Sequence, residues 1–430
     1  MRPNIVYLHS HDTGRYISPY GHAVPTPNVQ RLAEQGVLFR RAFCAAPTCS
    51  PSRAALLTGQ SAHNSGMLGL AHRGFALSDP QQHLAHTLSE AGYQTVLAGV
   101  EHVGAGDLYH TRLEVESRQA EEVSAAAVAF LEGGPTEPFF LDCGYHETHL
   151  RFPEVSEAKW RYVKPPDPLP DNEQNRRMTA GYHECVRRMD AGHGRVLDAL
   201  NLQGLADNTL VICTTDHGVA FPSMKCNLTD HGMGVLLMIR GGGGFDGGQV
   251  SDAMVSHLDL YPTICELLGL EAPTWLQGYS LLPLIRGEVE QIRAQTFAEV
   301  TYHAAYEPQR AVRTDRWKYI RRFDGDEKST PVLPNCDASP AKEVWLAHGW
   351  AERKMDDEQL YDLIFDPNET RNRVADPSCT EALVQMRRCL DDWMQSTDDP
   401  LLTGPVPAPR GSTINDKHGR SPGDRMIVAG

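Results

Sequence analysis

A cysteine and an arginine lie one helical turn apart at Cys49 and Arg53, with Pro51 between them. Proline fixes its own φ and biases the residue before it toward extended geometry, which suits a helix start before Ala54–Leu57. The Arg53 guanidinium then returns toward position 49 and can bind an oxyanion bidentately. This pair predicts nucleophilic chemistry on an anionic substrate. The alternative is a buried cysteine in front of an ordinary helix, the usual place of an isolated cysteine.

Further side chains able to do chemistry follow predicted strands. Asp216 and His217 come at the end of the apolar run Leu210–Thr215, where a carboxylate and an imidazole are candidate ligands of a divalent cation. His146 and His149 follow another such run. A His-x-x-His pair on a loop is more often solvent exposed. Its place after a strand favours a function in proton transfer, because an imidazole titrates near neutral pH.

The elements that position these side chains alternate between strands and helices, which is typical of a doubly wound α/β fold with a largely parallel sheet. The predicted strands are Ile5–Leu8, Val37–Phe43, Thr95–Ala98, Phe139–Gly144, Leu210–Thr214 and Val235–Ile239, and the predicted helices are Asn28–Gln35, the segment after Cys49, and Arg177–Leu200. Since each chemical motif follows a strand, we expect the motifs to meet at the carboxyl edge of the sheet.

The domain organisation is expected to have three parts. Residues 1–304 carry the α/β pattern and the motifs, and residues 305–397 change to short strands and one helix, typical of a small α+β domain. Residues 398–430 are rich in proline and glycine, which predicts an extended or partly disordered arm. We hypothesise that this arm embraces a neighbouring subunit in a homo-oligomer.

Composition excludes some classes of partner. Lys and Arg number 40 against 55 Asp and Glu, a net charge of -15, which argues against binding to nucleic acid or to an anionic membrane. There is no leader-like segment and no apolar run long enough to span a membrane, so the sequence predicts a soluble cytoplasmic protein. The 10 cysteines form no C-x-x-C pair, which indicates reduced core thiols rather than a disulfide framework or a zinc ribbon.

The segment Cys49–Gly59 matches the motif C-x-P-S-R-x-x-L-x-T-G throughout, and on this motif the chain resembles the cysteine-type sulfatases of the alkaline phosphatase superfamily. In that family an enzyme converts the cysteine to formylglycine. Other stretches resemble family segments in the same order, at Pro3–Val6, Thr26–Asn28, Leu210–Gly218, Tyr361–Leu363 and Asp366–Thr370. The surroundings of His63 and the stretch Phe221–Ser223 are most similar to the heparan N-sulfatase (sulfamidase) branch. The resemblance implies a large, mostly parallel sheet sandwiched by helices, with a smaller C-terminal α+β domain.

The resemblance also implies roles for individual residues. The metal ligands would be His11, Asp12, Cys49, Asp216 and His217, and the catalytic residues Cys49, Arg53, His102, His149 and Lys225. His146 would contact the substrate, and His303 and Glu299 are candidates for the rim of the pocket, with a structural role as the alternative for each. A hydroxyl of the hydrated formylglycine would attack sulfur or phosphorus in line. His149 or Lys225 would protonate the leaving group, and His102 would help to expel sulfate. A formylglycine-generating enzyme is the implied partner.

The chain departs from the family pattern at three positions. His11 stands where an acid is usual, so Mg²⁺, Mn²⁺ and Zn²⁺ compete with the Ca²⁺ that the family implies. Thr148 replaces a proline, and Val100 replaces a lysine that contacts both formylglycine and sulfate. The leading hypothesis is a sulfate ester or sulfamate hydrolase. The missing lysine favours the first alternative, a phosphonate monoester or phosphodiester hydrolase. A non-catalytic binding protein is the second alternative.

Overall fold

The large sheet has eight strands in a mixed but mainly parallel arrangement. The structure is a computed structural model that describes residues 2–104, 106–325 and 330–430. Its strands in chain order are β1 (Asn4–Ser10), β2 (Val37–Phe43), β3 (Gln94–Gly99), β4 (Thr111–Leu113), β5 (Phe139–Gly144), β6 (Thr209–Thr215), β7 (Leu237–Arg240) and β8 (Gln249–Ser256). In space they follow the order β4-β3-β5-β1-β6-β7-β2-β8, and β7 runs antiparallel to both of its neighbours. The predicted mostly parallel sheet is confirmed.

The register of the central strands explains why the motifs converge. His9 of β1 is paired with Gly144 of β5 on one side and with Thr214 of β6 on the other. These three parallel strands therefore end together, and the segments that follow them leave from one edge of the sheet.

Helices cover both faces of this sheet. Since side chains alternate along a strand, Ile5 and Tyr7 face one apolar core while Val6 and Leu8 face the other. The helices are α1 (Pro27–Gln35), α2 (Cys49–Thr58), α3 (Ala62–Ser65), α4 (Leu84–Glu90), α5 (Ala120–Glu132), α6 (Glu157–Trp160), α7 (Glu173–Leu202), α8 (Asp230–Met233), α9 (Leu260–Leu268), α10 (Leu282–Ile285), α11 (Pro340–Ala347) and α12 (Thr380–Ser396). None of the helices within the described ranges combines the length and the apolar character needed to cross a membrane.

A smaller antiparallel sheet follows, with α12 packed on it. Its strands are β9 (Gln295–Tyr302), β10 (Tyr306–Thr314), β11 (Trp317–Arg322) and β12 (Glu358–Asp362), in the order β12-β11-β10-β9. Because β9 and β10 form a hairpin, this sheet begins before residue 305, where the sequence analysis placed the boundary.

The C-terminal segment packs onto its own chain instead of extending away from it. It contains a short hairpin of β13 (Thr413–Asn415) and β14 (Met426–Val428). Asn415 accepts a hydrogen bond from Arg73 at 2.7 Å, and the buried carboxylate of Asp399 pairs with Arg310 of β10. These contacts differ from the extended arm predicted from proline and glycine content, which does not record the partners of individual side chains.

Candidate active site

Cys49 lies at the first position of α2, at the carboxyl edge of the large sheet. Thr48 is extended, with φ -137° and ψ 143°, and helix α2 starts directly after it. The helix ends at Gly59, whose φ of 69° is in the left-handed region that favours glycine. The Cys49 Sγ lies 3.5 Å from Nε2 of His217. Burial raises the pKa of the Cys49 thiol, so the unmodified side chain is not a ready thiolate nucleophile.

The predicted metal ligands surround Cys49 in a buried group. One potential ligand atom from each of His11, Asp12, Cys49 and Asp216 lies within 4.8 Å of the others. Nδ1 of His11 is 3.2 Å from Oδ2 of Asp216, and Nε2 of His217 is 3.4 Å from Oδ1 of Asp12. Within the described part of the chain, Nδ1 of His11 and Oδ1 of Asp12 are buried and have no hydrogen-bond partner. Buried polar atoms without partners are costly, so these two atoms are well placed to bind a cation.

The donor atoms of this group suit a divalent cation, and their chemistry indicates which cation fits best. It offers two carboxylates and two imidazoles, together with the position 49 side chain. Ca²⁺ prefers an all-oxygen shell, whereas imidazole nitrogen suits Mn²⁺, Zn²⁺ and other transition metals. The side chains therefore fit a transition metal better than the Ca²⁺ that the family resemblance implies.

Arg53 is held in a network under the site. Its guanidinium hydrogen bonds to Nδ1 of His9 and donates from Nη2 to Oδ2 of Asp216 and to the carbonyl oxygen of Ser10, at 3.0 Å each. His9 in turn pairs through Nε2 with Oδ1 of Asp142 at 2.7 Å. Both terminal nitrogens of Arg53 are thus engaged with the protein. The bidentate contact of Arg53 with an oxyanion stays a prediction, since its Nε has no hydrogen-bond partner among the described residues.

Lys225 and His149 lie on the other side of Asp12. The Lys225 Nζ is 3.0 Å from Oδ2 of Asp12, 3.1 Å from Oδ2 of Asp337 and 3.5 Å from Nε2 of His149. Burial acts to lower the pKa of Lys225, but the two carboxylates outweigh it and hold that pKa well above its usual value. The same cation holds the pKa of Asp12 well below the ordinary value against the effect of burial. Lys225 is therefore charged at neutral pH.

The loop that carries His149 is tied to the end of β1. The hydroxyl of Thr148 donates to the carbonyl oxygens of His11 and Asp12, at 3.0 and 3.1 Å. The ring of His149 lies 5.4 Å from that of His11 and 5.1 Å from that of His146. A threonine at the position usual for proline thus still brings His146 and His149 to the metal ligands. Burial lowers the pKa of His149, and that of His146 to about 4.

His102 also belongs to this group of rings. Its ring is 5.5 Å from the His11 ring, and its Nε2 is 3.1 Å from Nδ1 of His72. Burial lowers the pKa of His102 well below the ordinary value, so the ring is neutral and can accept a proton. Val100, at the position of the family lysine, is buried and supplies no charge.

The two predicted rim residues have different surroundings. His303 is buried close enough to Lys225 and Asp337 for both to affect its pKa, which burial lowers to about 3. Glu299 contacts His63 at 2.9 Å and Arg310 at 3.2 Å. The structure thus brings His303 next to the site, whereas the carboxylate of Glu299 is engaged in a separate buried ionic group.

The sequence analysis missed three residues that bear on this site: Asp337, His72 and Asp142. Asp142 lies within a predicted strand, where an acidic side chain among apolar neighbours is itself a signal of a buried partner. Asp337 lies in an irregular segment and His72 in a single 3₁₀ turn, Ala71–Arg73; neither belongs to a spacing pattern, so only the folded chain reveals them.

Comparison with known proteins agrees with this architecture and identifies the family. Residues 3–270 match the model of the Sulfatase family, and residues 224–332 match the model described as N-sulphoglucosamine sulphohydrolase, C-terminal. The chain therefore belongs to the sulfatase family. It is similar to the human N-sulphoglucosamine sulphohydrolase, with 30% identity over an alignment that covers 94% of this chain and 92% of the relative.

Solved structures share the fold. A 2-O GAG sulfatase superposes with a TM-score of 0.75 at 22% identity, over 94% of each chain. The phosphonate monoester hydrolase of Agrobacterium radiobacter superposes with a TM-score of 0.70 at 21% identity, over 92% of this chain and 96% of that one. At such identities these two neighbours establish the fold alone.

Proposed function

We propose that this sulfatase is a metal-dependent hydrolase that removes a sulfate ester or sulfamate group from a small sulfated amino sugar, with a formylglycine derived from Cys49. The observation that carries the proposal is the convergence of Cys49, two candidate metal-binding carboxylates and the Lys225 ammonium around one buried point. The similarity to a sulphohydrolase of N-sulphoglucosamine supports an amino sugar as the substrate.

The charges at this point suit an anionic substrate. When bound, a divalent cation held by His11, Asp12, Asp216 and His217 supplies Lewis acidity, and a formylglycine at position 49 supplies the nucleophilic hydroxyl. Arg53 holds Asp216 in place through the contact at 3.0 Å. Lys225 stabilises charge on the transferring group, and fixed electrostatic stabilisation of this kind is usually the largest single contribution to catalysis.

Two histidines handle protons in this proposal. His149 lies beside Lys225, and its Nδ1 is 2.7 Å from the carbonyl oxygen of Leu150, which leaves Nε2 directed toward the site. The charged Lys225 ammonium lies 3.5 Å from this nitrogen, so the proton for the leaving nitrogen or oxygen of the sugar comes from Lys225, either directly or through Nε2 of His149. His102, one of whose ring nitrogens lies within 4.8 Å of the Cys49 side chain, takes a proton from the position 49 hydroxyl in the step that releases sulfate.

The proposal is tested with protein coexpressed with a formylglycine-generating enzyme. Mass spectrometry of the peptide around Cys49 should show the loss of about 18 Da that accompanies conversion of thiol to aldehyde. The converted protein should then release sulfate from N-sulfoglucosamine. Cys49→Ala should abolish this activity, and Cys265→Ala, a buried cysteine in α9, is the matched control that should retain it. Full activity in Cys49→Ala would refute the proposal.

A phosphonate monoester hydrolase is the second candidate, and Val100 favours it. The lysine that contacts sulfate in the family is missing, and a phosphonate monoester hydrolase shares the fold. Parallel measurements on a phosphonate monoester and on N-sulfoglucosamine decide between the two. A kcat/KM higher for the phosphonate by tenfold or more, about 1.4 kcal/mol, would replace the sulfatase assignment of the substrate.

A further inference from the structure

His72 forms a hydrogen bond with His102, the residue that takes a proton in the proposed reaction. Nδ1 of His72 lies 3.1 Å from Nε2 of His102. The two rings are inclined by only 8°, and their centroids are 5.4 Å apart. This separation equals the hydrogen-bond length plus the two distances from nitrogen to ring centre, so the rings meet edge to edge in nearly one plane. Such a contact is a well-aligned N–H···N hydrogen bond, in which one ring donates and the other accepts.

The turn that carries His72 is fixed close to Cys49. The backbone N–H of Ala71 donates to the hydroxyl of Ser50 at 3.0 Å, and Ser50 is the residue after Cys49 in helix α2. The ring of His72 is exposed, so its contact with His102 is not a consequence of packing in the core. The backbone therefore holds a surface imidazole beside the site at a defined distance from its partner.

His102 has a constrained backbone and one unengaged nitrogen. Its φ of 62° lies in the left-handed region, which the Cβ of an ordinary residue disfavours. Residues held in this region cluster at active sites, where their surroundings fix them. Nδ1 of His102 is buried and has no hydrogen-bond partner among the residues that the structure describes. His102 thus offers one nitrogen to His72 and keeps a buried nitrogen for the site.

These contacts determine which nitrogen of His102 can act as the base. A neutral imidazole has an N–H at one nitrogen and an acceptor at the other. Because Nε2 faces His72, a proton from the position 49 hydroxyl has to arrive at Nδ1. The resting proton of His102 must then be on Nε2, where it is donated to Nδ1 of His72. In a Ser-His-Asp triad the carboxylate fixes the tautomer of its histidine in the same manner.

We propose that His72 is a positioning residue for His102, and that its Nδ1 accepts the Nε2 proton of His102 and so leaves Nδ1 of His102 free to act as the base. This inference rests on the proposed function. In the step that releases sulfate, the O–H bond of the position 49 hydroxyl breaks and its electrons form the C=O bond of the aldehyde. The C–O bond to sulfate breaks, and its electron pair leaves with the sulfate. The proton goes to Nδ1 of His102, and the resulting imidazolium keeps its second N–H bonded to His72.

Kinetics of the converted, metal-loaded protein test this role. Because His102 acts only after the sugar has left, His72→Ala should lower kcat for N-sulfoglucosamine about tenfold and KM in proportion, and the first turnover should appear as a burst of free sugar. His72→Asn keeps an acceptor oxygen near the position of Nδ1 and should recover most of kcat. The matched control is His86→Ala, a partly exposed histidine of α4 that pairs with Glu90 at 3.6 Å and should change neither parameter. An unchanged kcat in His72→Ala, or a slower first turnover without a burst, would overturn the inference.

NMR of the imidazole nitrogens separates this inference from the proposed function, because it needs no turnover. The protein is labelled with ¹⁵N-histidine and loaded with Mg²⁺, which is diamagnetic and prefers oxygen ligands to imidazole nitrogen. The signals of His102 are those missing from His102→Gln. They should show the proton on Nε2, with a scalar coupling across the hydrogen bond to Nδ1 of His72 that His72→Asn abolishes.

The two proposals can therefore fail separately. A proton on Nδ1 of His102, or no coupling between the two rings in the wild type, would overturn the positioning role and leave the sulfatase proposal standing. The expected tautomer and coupling in a protein that releases no sulfate would support the pairing of the two rings, while the proposed function would fail.

Discussion

Removal of Lys225 should destabilise the protein, and a second substitution at Asp337 should restore part of the loss. The Lys225 ammonium is buried between Asp12 at 3.0 Å and Asp337 at 3.1 Å. At an effective dielectric constant near 20, each pair interacts with about 5 kcal/mol before desolvation is subtracted. Removing one partner of a buried pair typically costs about 3–5 kcal/mol, because the other charge stays buried without compensation. We expect Lys225→Ala to lose about that much.

The double variant is the sharper measurement. Asp337→Asn removes one of the two uncompensated carboxylates, and since the Asp337 side chain is 21% exposed, water already screens part of its charge. We therefore expect Lys225→Ala/Asp337→Asn to be more stable than Lys225→Ala by about 1–2 kcal/mol. Urea unfolding measures the free energy of unfolding of both variants. A chelator is present so that no bound cation compensates the charge of Asp12.

Lys342 provides the matched control. It is a buried lysine whose Nζ donates to the backbone carbonyls of Leu333, Cys336 and Arg420, and among the described residues no carboxylate forms a salt bridge with it. Asp337→Asn should not rescue Lys342→Ala. If Asp337→Asn further destabilises Lys225→Ala, the charge argument is wrong and packing of the lysine side chain accounts for the loss.

Three further predictions concern buried groups around the sheet. Burial lowers the pKa of His193 from 6.5 to about 3. The unfolded chain therefore binds a proton there that the folded one does not, and stability falls as pH decreases below 6.5. His193→Gln should reduce the dependence of the free energy of unfolding on pH by up to about 1.4 kcal/mol per pH unit, measured by urea unfolding at several pH values. An unchanged pH dependence would contradict this prediction. Asp142→Asn should lower kcat about tenfold with KM nearly unchanged, because His9 then no longer orients Arg53; an unaltered kcat would exclude this positioning role. His11→Asp should shift metal preference toward Ca²⁺, measured by competitive metal loading with elemental analysis, and identical loading of both proteins would show that His11 is not a ligand.

Much of the fold could be predicted because its periodicity is local. The runs that form β1, β5 and β6 are buried along their whole length and mostly apolar, the pattern that buried parallel strands require. By contrast, β8 begins with the exposed stretch Gln249–Ala253, so its sequence lacks the apolar run that marks the other strands. Its place at the edge of the sheet comes from pairing with β2, a contact over a long separation in sequence.

The site likewise combines residues that local sequence patterns predict with residues that only distant contacts bring together. Cys49, Asp216 and His149 each follow or begin a recognisable element, so their neighbourhood at one sheet edge could be predicted before their distances were known. Asp337 lies on an irregular segment between β11 and α11 and contacts Lys225 across a separation of 112 residues. A carboxylate that lies far in sequence from the lysine it pairs with belongs to no spacing pattern. Its charge nevertheless contributes to the net charge that a sulfated substrate meets. The charge of this site therefore depends in part on Asp337, a residue that no sequence motif contains.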